Sequence, residues 1–395
     1  MTMTDPAAPD TEDKDSTAER LRVAVESIAG APFAAGNDVT VLCNGDEIFP
    51  SMMEAIGSAR TSIDFVTFVY WTGTVARDFA HALAEKARDG VRVRVVLDAF
   101  GSQDMDNGLL EELRAAGAIV ERFRPIVRWK VWESDHRTHR KILIVDDCVG
   151  FTGGVGIASE WEGTAATSDE WRDTHFRIEG PAVLGLKAAF LSDWRDCGHP
   201  IGREDIDIGR PPAAGDIGVA VLDASAHIGF NPAERLLEAL VAAADEQILI
   251  QTPYFNPPDG LIEGLIAARR RGVDVKILLP GPHIDKRISE VVALNRCRKL
   301  AADGIQVWQY QPTMMHVKAV MVDGRAAMVG SVNFNRRSVE KDEEVAIGIV
   351  DERFTSQLIE DFEADLTRSK LVQPDGEPLW RRLLAVLLYP IRREF

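Results

Sequence analysis

Short runs of apolar and β-branched residues alternate with longer stretches of helical periodicity along most of the chain. SIDFVTFVY (62–70) and VRVRVVLD (91–98) are typical of buried strands, and the helical stretch between them ends in ARDG. This order predicts layered α/β structure in which mixed β-sheets are flanked by helices. Residues 1–20 (MTMTDPAAPDTEDKDSTAER) lack such runs, are acidic and contain no aromatic residue, so we expect a disordered tail there.

The same pattern recurs in the second half of the chain. QILIQTPYF (247–255) and VDVKILLP (273–280) flank a helical stretch that ends in RRRG. Further on, HRKILIVDDCVGFTGG (139–154) corresponds to HVKAVMVDGRAAMVGS (316–331). Two copies are too few for a solenoid, so the duplication predicts two similar lobes that face each other.

The domain organisation follows from this duplication and from the Gly- and Pro-rich segment IGREDIDIGRPPAAGD between the copies. The expected segments are the disordered acidic tail (1–20), an N-terminal lobe (36–200), a linker (201–216), a C-terminal lobe (217–370) and an apolar and basic C-terminal segment (371–395).

Composition narrows the class of protein. With 395 residues, 46% hydrophobic and 27% charged, the chain is neither disordered nor a disulfide miniprotein. A formal charge of −17 argues against a broad polyanion-binding face, although an anionic substrate is compatible with a local basic pocket. We expect neither a secretory signal nor a membrane-spanning helix, because no apolar run approaches about 18 residues.

The cysteines indicate the compartment. Cys43, Cys148, Cys197 and Cys297 are widely spaced, which fits neither a zinc site nor a disulfide framework. A reducing cytoplasm is therefore expected.

One motif carries the candidate chemistry, and it occurs once in each half. A His is followed two residues later by Lys and seven residues later by Asp, and a small pair, Gly153-Gly154 or Gly330-Ser331, follows. The two candidate catalytic sets are His139, Lys141, Asp146 and His316, Lys318, Asp323. Because strand periodicity is two, each His and Lys share a face and together suit one phosphate. Each Asp closes its strand, where we expect it to shape the turn more than to act in chemistry.

The paired motifs resemble those of the phospholipase D superfamily. Segments outside the motifs, among them WRDTHFRIEGPAV (171–183) and GSVNFNRRSVEKDEE (330–344), resemble the bacterial cardiolipin synthase group within it. The resemblance covers about residues 40 to 390 and implies the phospholipase D fold, with one active site between the lobes. It also implies exchange at a phosphodiester through a phosphohistidine intermediate, without a metal or any other cofactor.

The resemblance further implies a role for each site residue. His139 would be the nucleophile and His316 the general acid and base. Lys141, Lys318 and Asn333, together with Ser331, would bind the phosphoryl oxygens. A carboxylate about thirty residues beyond each His would orient that ring, which pairs Asp173 with His139 and Glu344 with His316. In the first copy, Gly156 stands where the family commonly has Asn, which removes one amide donor.

Three functions are consistent with this sequence. The first is a phosphatidyltransferase that forms cardiolipin and glycerol from two molecules of phosphatidylglycerol. The second is a phospholipase D-type hydrolase of a phospholipid or another phosphodiester; the acidic charge weakens its nuclease version, so no nucleic-acid partner is expected. The third, suggested only by Gly156, is a non-catalytic lipid-binding protein, which the intact motifs disfavour.

Contact with lipid is expected at an anionic membrane surface, on the inner face of the cell membrane. LWRRLLAVLLYPIRREF at the C-terminus has an apolar centre between arginines, which suits either an interfacial helix or a helix docked on the second lobe. A second candidate contact is the loop between Pro125 and His139, which is longer than its counterpart in the second half. It contains Trp129, Lys130, Trp132 and Arg137.

Overall fold

The computed structural model describes residues 11–125, 136–225 and 231–373. In the N-terminal half, strands alternate with helices as the periodicity predicts. Its elements are α1 (Thr11–Ala24), β1 (Ala34–Cys43), α2 (Asn44–Ser58), β2 (Ser62–Thr67), α3 (Thr74–Arg88), β3 (Arg92–Asp98), α4 (Asn107–Ala115), β4 (Ile119–Phe123), β5 (Ile142–Val145), β6 (Val149–Gly153), β7 (Thr174–Glu179) and α5 (Val183–Asp196).

The C-terminal half repeats this alternation with three short additional strands. Its elements are β8 (Ile217–Ala224), α6 (Pro232–Ala243), β9 (Gln247–Gln251), β10 (Phe255–Asn256), α7 (Asp259–Arg271), β11 (Asp274–Pro280), α8 (Arg287–Ala302), β12 (Gln306–Tyr310), β13 (Ala319–Val322), β14 (Ala326–Gly330), β15 (Phe334–Asn335), α9 (Arg336–Glu340), β16 (Glu344–Val350), α10 (Glu352–Thr367) and β17 (Ser369–Leu371).

One continuous mixed sheet runs through both halves of the described chain. Its order is β17-β12-β11-β9-β13-β14-β16-β8-β1-β7-β6-β5-β2-β3-β4. Read outward from the centre, β1-β7-β6-β5-β2-β3-β4 has the same order as β8-β16-β14-β13-β9-β11-β12, so each strand of one half has a counterpart in the other. The predicted α/β architecture of two pseudo-symmetric lobes is confirmed.

The lobes join at the antiparallel pair β1 and β8, where Ala34 lies opposite Val219 and Asn37 opposite Ile217. The buried Asn37 amide donates to the Ile217 carbonyl over 3.0 Å, and its Oδ1 accepts the Ala182 N–H over 2.7 Å. This side chain therefore satisfies backbone groups at an irregular point of the ladder, which stabilises the central seam.

Helices cover both faces of the sheet, as expected for strands that are apolar on both sides. On one face, α5 and α10 contribute Phe190 and Phe354 to a core that includes strand residues of both lobes. On the other face each lobe has its own core, one beneath α2, α3 and α4 and the other beneath α6, α7 and α8. The shared core fixes the two lobes against each other.

The prediction of a disordered tail over 1–20 is wrong for residues 11–20, which belong to α1. The helix extends to apolar residues that the tail composition did not reveal: Leu21 and Val25 are buried among residues of α6 in the C-terminal lobe. Arg20 also pairs with Asp245 of that lobe. Residues 1–10 lie outside the described part of the chain.

The predicted linker, 201–216, connects α5 to β8 and is anchored to the N-terminal lobe. The buried Asp205 carboxylate lies 2.9 Å from the Arg94 guanidinium, which also binds Asp64. Most of the two segments expected to contact lipid lies outside the described residues. This applies to Trp129, Lys130, Trp132 and residues 374–395. Arg137 is described, is buried and donates to the Arg124 carbonyl over 2.8 Å.

Candidate active site

The two histidine motifs occupy equivalent places in the two lobes. His139 and Lys141 immediately precede β5, and His316 and Lys318 immediately precede β13. His139, Lys141 and His316 line one pocket of about 290 Å³ between the lobes, and Lys318 is buried against His316. The structure thus brings together the His and Lys of both motifs, four of the six residues that the spacing singled out.

Arg140, between His139 and Lys141, points to the opposite face from its two neighbours, as the two-residue periodicity requires. Arg140 is fully buried and donates to the Ala189 carbonyl of α5 over 2.8 Å and to Asp193 over 2.5 Å. Because neighbouring residues of extended backbone point to opposite faces, this ion pair anchors the segment while His139 and Lys141 face the pocket.

Each catalytic candidate histidine is held by a carboxylate of the opposite lobe. Nδ1 of His139 lies 2.9 Å from Oε1 of Glu344, and Nδ1 of His316 lies 2.8 Å from Oδ2 of Asp173. The predicted pairing, in which each carboxylate orients the histidine of its own lobe, is therefore wrong. In both pairs Nε2 is the ring nitrogen that the carboxylate does not hold.

Backbone hydrogen bonds explain the crossed pairing. The His139 N–H donates to the Glu343 carbonyl over 2.8 Å, and the His316 N–H donates to the Arg172 carbonyl over 2.7 Å. Each histidine segment therefore lies beside the opposite lobe's segment, one residue before its carboxylate. The contact that sequence proximity suggested is replaced by one between residues 205 or 143 positions apart.

The two carboxylates receive different second donors. Nε1 of Trp161 donates to Oδ2 of Asp173 over 2.9 Å. In the other lobe the Ser331 hydroxyl donates to Oε2 of Glu344 over 2.5 Å and accepts the Val345 N–H over 3.0 Å. Ser331 is thus engaged with the orienting carboxylate, and its expected contact with a phosphate stays a prediction.

Space explains why Gly154 and Gly156 depart from the second motif. A Cβ at Gly154 would lie 2.2 Å from Oδ1 of Asp173. A Cβ at Gly156 would lie 2.6 Å from Cβ of Val69 and 3.1 Å from the Trp161 ring. The volume that an Asn side chain would require is therefore occupied by Val69 and Trp161.

Asn333, the counterpart of Gly156, is buried at 4% exposure. Its side-chain Oδ1 has no hydrogen-bond partner within the described residues, and its backbone N–H donates to the Ser338 hydroxyl over 3.3 Å. It does not line the pocket surface formed by the histidines. Its predicted contact with a phosphate stays a prediction.

Asp146 and Asp323 are turn residues at the far ends of β5 and β13. Oδ1 of Asp146 accepts the Thr61 N–H over 2.7 Å, and Oδ1 of Asp323 accepts the Gln247 N–H over 2.8 Å. Both adopt a left-handed backbone, with φ of 52° and 53°. A four-residue strand, roughly 13 Å long, separates each from its histidine motif. The turn-shaping interpretation agrees with this geometry, whereas their inclusion among catalytic residues does not.

Burial favours the free-base form of both histidines. It lowers the pKa of His139 well below its usual value, and the nearby Lys141 and Lys318 lower it further. For His316, burial and then Lys318 lower the pKa to about 4. A phosphodiester entering the pocket brings negative charge, which favours a proton on one of the rings.

The lysines are affected by the same burial. It lowers the pKa of Lys141 to about 8 and that of Lys318 to about 7. Burial raises the pKa of Glu344 to about 7, whereas Asp173 has a lowered pKa because His316 and Lys318 outweigh the effect of burial. The site is therefore electrostatically asymmetric, although its motifs are repeated.

Aromatic residues that the sequence analysis missed form the pocket wall. The Phe68 ring lies 5.1 Å from the His139 ring, and the Trp161 and Trp171 rings lie 5.4 Å and 5.3 Å from the His316 ring. Phe68 and Tyr254 follow the matched strands β2 and β9, so the repeat alignment contained a signal for them. The tryptophans lie in the connection between β6 and β7, which is longer than its counterpart between β14 and β16.

Comparison with known proteins identifies the family of this chain. The model described as "Cardiolipin synthase, PLD-like domain" matches residues 52–162 and 236–366, more than half of the chain. The chain belongs to this family. Its two matched ranges contain both histidine motifs, whereas Asp173, which holds His316, lies between them.

Similar full-length proteins agree with the family model. The chain is 30% identical to "Cardiolipin synthase" of Oceanobacillus iheyensis over 86% of its length and 71% of the relative. It is 32% identical to "Cardiolipin synthase A" of Pseudomonas fluorescens over 88% of its length and 73% of the relative.

A solved structure supports the fold. The phosphatidylserine synthase of Haemophilus influenzae Rd KW20 superposes with a TM-score of 0.73 at 16% identity, covering 95% of this chain and 98% of that one. The phospholipase D fold implied by the sequence resemblance is confirmed. Within the described ranges, no helix combines the length and apolar character needed to cross a membrane, and no cluster of three or more His, Cys, Asp or Glu residues suits a metal ion.

Proposed function

We propose that this protein is a cardiolipin synthase, which transfers a phosphatidyl group from one phosphatidylglycerol to another and releases glycerol. The observation that carries the proposal is the pair of histidines on one pocket, each held at Nδ1 by a carboxylate of the opposite lobe. The family and the names of its similar members supply the phospholipid substrate class.

In the first half-reaction, Nε2 of His139 attacks the phosphorus of the donor. The bond to the glycerol oxygen breaks, His316 gives its proton to that oxygen, and a phosphohistidine remains. Nucleophilic attack needs a free-base imidazole, and the lowered pKa of His139 supports this form. Glu344 stabilises the positive charge that develops on the His139 ring during attack.

In the second half-reaction, His316 takes the proton from the terminal hydroxyl of the acceptor lipid. The resulting oxygen attacks phosphorus, the bond to His139 breaks, and cardiolipin leaves. Nζ of Lys318 lies 3.0 Å from Nδ1 and 3.2 Å from Nε2 of His316. The choice of His139 as the nucleophile follows the family resemblance, because the family's nucleophile usually comes from the N-terminal motif.

Lys141 and Lys318 stabilise the charge on the phosphoryl oxygens as it grows in the transition state. Both ammonium groups are anchored on the carbonyl of their own histidine, over 2.7 Å and 2.6 Å. This anchoring places two cations beside the two reacting rings, and it costs no reorganisation during the reaction. Asn333 would add an amide donor to the same cradle.

Contact with the membrane is part of the proposal. Phe100 lines the pocket and is 60% exposed, so an apolar ring stands at the pocket entrance where lipid would arrive. We place the protein at an anionic membrane surface, on the inner face of the cell membrane, as its cysteine usage suggests.

The test uses purified protein, phosphatidylglycerol vesicles and a chelator, with products identified by lipid mass spectrometry. We expect cardiolipin and an equal amount of free glycerol, and loss of both with His139→Ala or His316→Ala. His81→Ala serves as the matched control, because His81 is exposed and pairs with Glu112 away from the pocket.

Two results would contradict the proposal. Phosphatidic acid without cardiolipin would show that water intercepts the intermediate and that the protein is a hydrolase. Undiminished activity in His139→Ala would show that the phosphohistidine forms elsewhere or not at all.

A further inference from the structure

Lys286 is a third cation on the active-site pocket, outside both histidine motifs. It directly precedes α8 and lines the pocket together with His139 and His316. Resting on the function proposed above, we propose that Lys286 binds the phosphate of the acceptor lipid, the anion that cardiolipin retains and that is never transferred. This assigns to Lys286 the selection of an anionic acceptor.

Within the described part of the chain, the surroundings of Lys286 leave its ammonium available to a substrate. Its Nζ lies 4.9 Å from the centre of the Tyr254 ring. The neighbouring Asp285 is engaged elsewhere, since its Oδ2 accepts the Tyr254 hydroxyl over 2.7 Å and its Oδ1 accepts the Lys286 backbone N–H over 2.8 Å. Among the described residues, no carboxylate forms an ion pair with the Lys286 side chain.

The other two pocket lysines are committed to the reacting phosphoryl group. Lys141 and Lys318 are buried and bound to the carbonyls of their own histidines. Lys286 is exposed at the entrance, yet its charge still lowers the pKa of His139, after burial and the nearer charges. Lys286 lines the same pocket as both histidines, so a lipid whose reacting hydroxyl lies at His316 can present its phosphate to this ammonium.

The acidic surroundings of the pocket give such a cation a role in binding an anion. The chain carries a formal charge of −17, and Asp104 and Asp285 also line the pocket. An acceptor phosphatidylglycerol brings an anion into this field, whereas water or a small neutral alcohol does not. A fixed cation at the entrance therefore favours the lipid acceptor over the neutral ones.

The experiment compares acceptors that compete for the same intermediate. Phosphatidylglycerol vesicles are incubated with the protein and 1-propanol, and cardiolipin, phosphatidylpropanol and phosphatidic acid are quantified together. Lys286→Ala is expected to lower the ratio of cardiolipin to phosphatidylpropanol by about tenfold, the effect of losing one charge contact that is partly solvated. A change in the reactivity of His139 would alter the yields of all three products by the same factor, so it would leave the ratio unchanged.

Two variants complete the comparison. Lys286→Arg keeps the charge and is expected to restore most of the ratio. Lys299→Ala removes an exposed charge from the last turn of α8, outside the pocket lining, and is expected to leave the ratio unchanged.

Three outcomes would overturn the proposal. An unchanged ratio in Lys286→Ala would show that the acceptor phosphate binds elsewhere. A proportional loss of all three products would assign Lys286 to the donor. If the wild-type protein forms phosphatidylpropanol but no cardiolipin, the proposed function itself fails, and the acceptor site fails with it.

Discussion

Trp161 and Ser331 do the same work in opposite lobes of the molecule. Each donates a hydrogen bond to the carboxylate that holds a histidine, Trp161 to Asp173 and Ser331 to Glu344. The first lobe needs glycine at position 154 because the Asp173 carboxylate lies where a side chain would begin. At the residue scale, the two motifs share their His and Lys residues, but different side chains donate to the carboxylates that hold the histidines.

Introducing the missing family amide, with Gly156→Asn, is expected to lower both stability and activity. The new Cβ would lie 2.6 Å from Val69 and displace Trp161 from Asp173. Overpacking of this kind costs about 1–3 kcal/mol in the free energy of unfolding. Thermal unfolding and the rate of cardiolipin formation measure the two effects.

The matched control is Gly57→Asn, because a Cβ at Gly57 meets no atom within 4 Å. We expect a much smaller effect on unfolding from this change than from Gly156→Asn. A Gly156→Asn protein that gains activity at unchanged stability would contradict the packing argument.

The crossed carboxylates make the two half-reactions separable. Glu344→Gln removes the charge that stabilises His139 and is expected to slow formation of the phosphohistidine by roughly a hundredfold or more. Asp173→Asn acts on His316 and is expected to slow proton transfer to glycerol and from the acceptor. Rapid quenching with labelled phosphatidylglycerol, followed by measurement of the acid-labile phosphoprotein, separates the steps.

One result would exchange the roles proposed for the two histidines. If a pre-formed phosphohistidine accumulates in Glu344→Gln while none forms in Asp173→Asn, then His316 is the nucleophile. The crossed geometry would stand in that case, but the proposed roles of the two histidines would be exchanged.

At the scale of elements, each histidine strand carries its chemistry at one end and its anchor at the other. Beyond β5, Asp146 accepts backbone N–H groups at the start of β2, and Asp323 does the same for β9. These carboxylates fix the register in which the histidine strand meets its neighbour. The pocket geometry therefore depends on them without their contacting substrate.

Asp146→Asn is expected to destabilise the fold by about 1–2 kcal/mol at neutral pH, because an amide oxygen is a weaker acceptor for these N–H groups and solvent screens the partly exposed carboxylate. The pKa of Asp146 is lowered: hydrogen bonds from Ser62 and Thr61 outweigh burial. A lowered pKa contributes stability that is complete above the unfolded-state value, near pH 4, and is lost as pH falls through the folded-state value.

Chemical denaturation at neutral and acidic pH checks this prediction. The difference between wild type and Asp146→Asn should shrink below about pH 4. Protein that remains folded should keep most of its turnover. Full stability combined with lost turnover would instead assign Asp146 to the chemistry.

At the scale of the whole molecule, the site exists because two lobes share one sheet and one core. The pair β1 and β8 and the apolar residues of α5 and α10 hold the lobes together. Burial between them removes water from the histidines and lysines, and this burial sets their charge states.

This burial predicts an unusual pH dependence. With pKa values lowered to about 8 and about 7, the ammonium groups of Lys141 and Lys318 are lost as pH rises through these values. Anionic substrate then binds less well, so kcat/KM is expected to fall from about pH 7 upward, far below the usual range for lysine. Initial rates from about pH 6 to about pH 9 measure the profile.

Lys318→Arg provides the comparison, because a guanidinium stays charged over this range. For this variant we expect kcat/KM to begin to fall about one pH unit higher, where Lys141 loses its proton. If kcat/KM of the wild type stays constant up to about pH 9, both lysines have pKa values in the usual range for lysine.

The sequence by itself determined the family, the candidate catalytic residues and the plan of the fold. The His-x-Lys spacing fixes which side chains share a face, since strand periodicity is a local property. The repetition of strands and motifs fixed two similar lobes, and the Asp at the strand end indicated a turn. These features depend on residues within one element or its immediate neighbours.

The tertiary structure alone decided which carboxylate holds which histidine, what fills the space beside Gly156, and which additional cation reaches the pocket. Glu344 meets His139 across 205 residues of chain, and Lys286 reaches the pocket from the start of a helix with no motif of its own. Such contacts arise from how the lobes pack, and packing depends on volume and distance in three dimensions. Spacing along the chain does not encode these quantities.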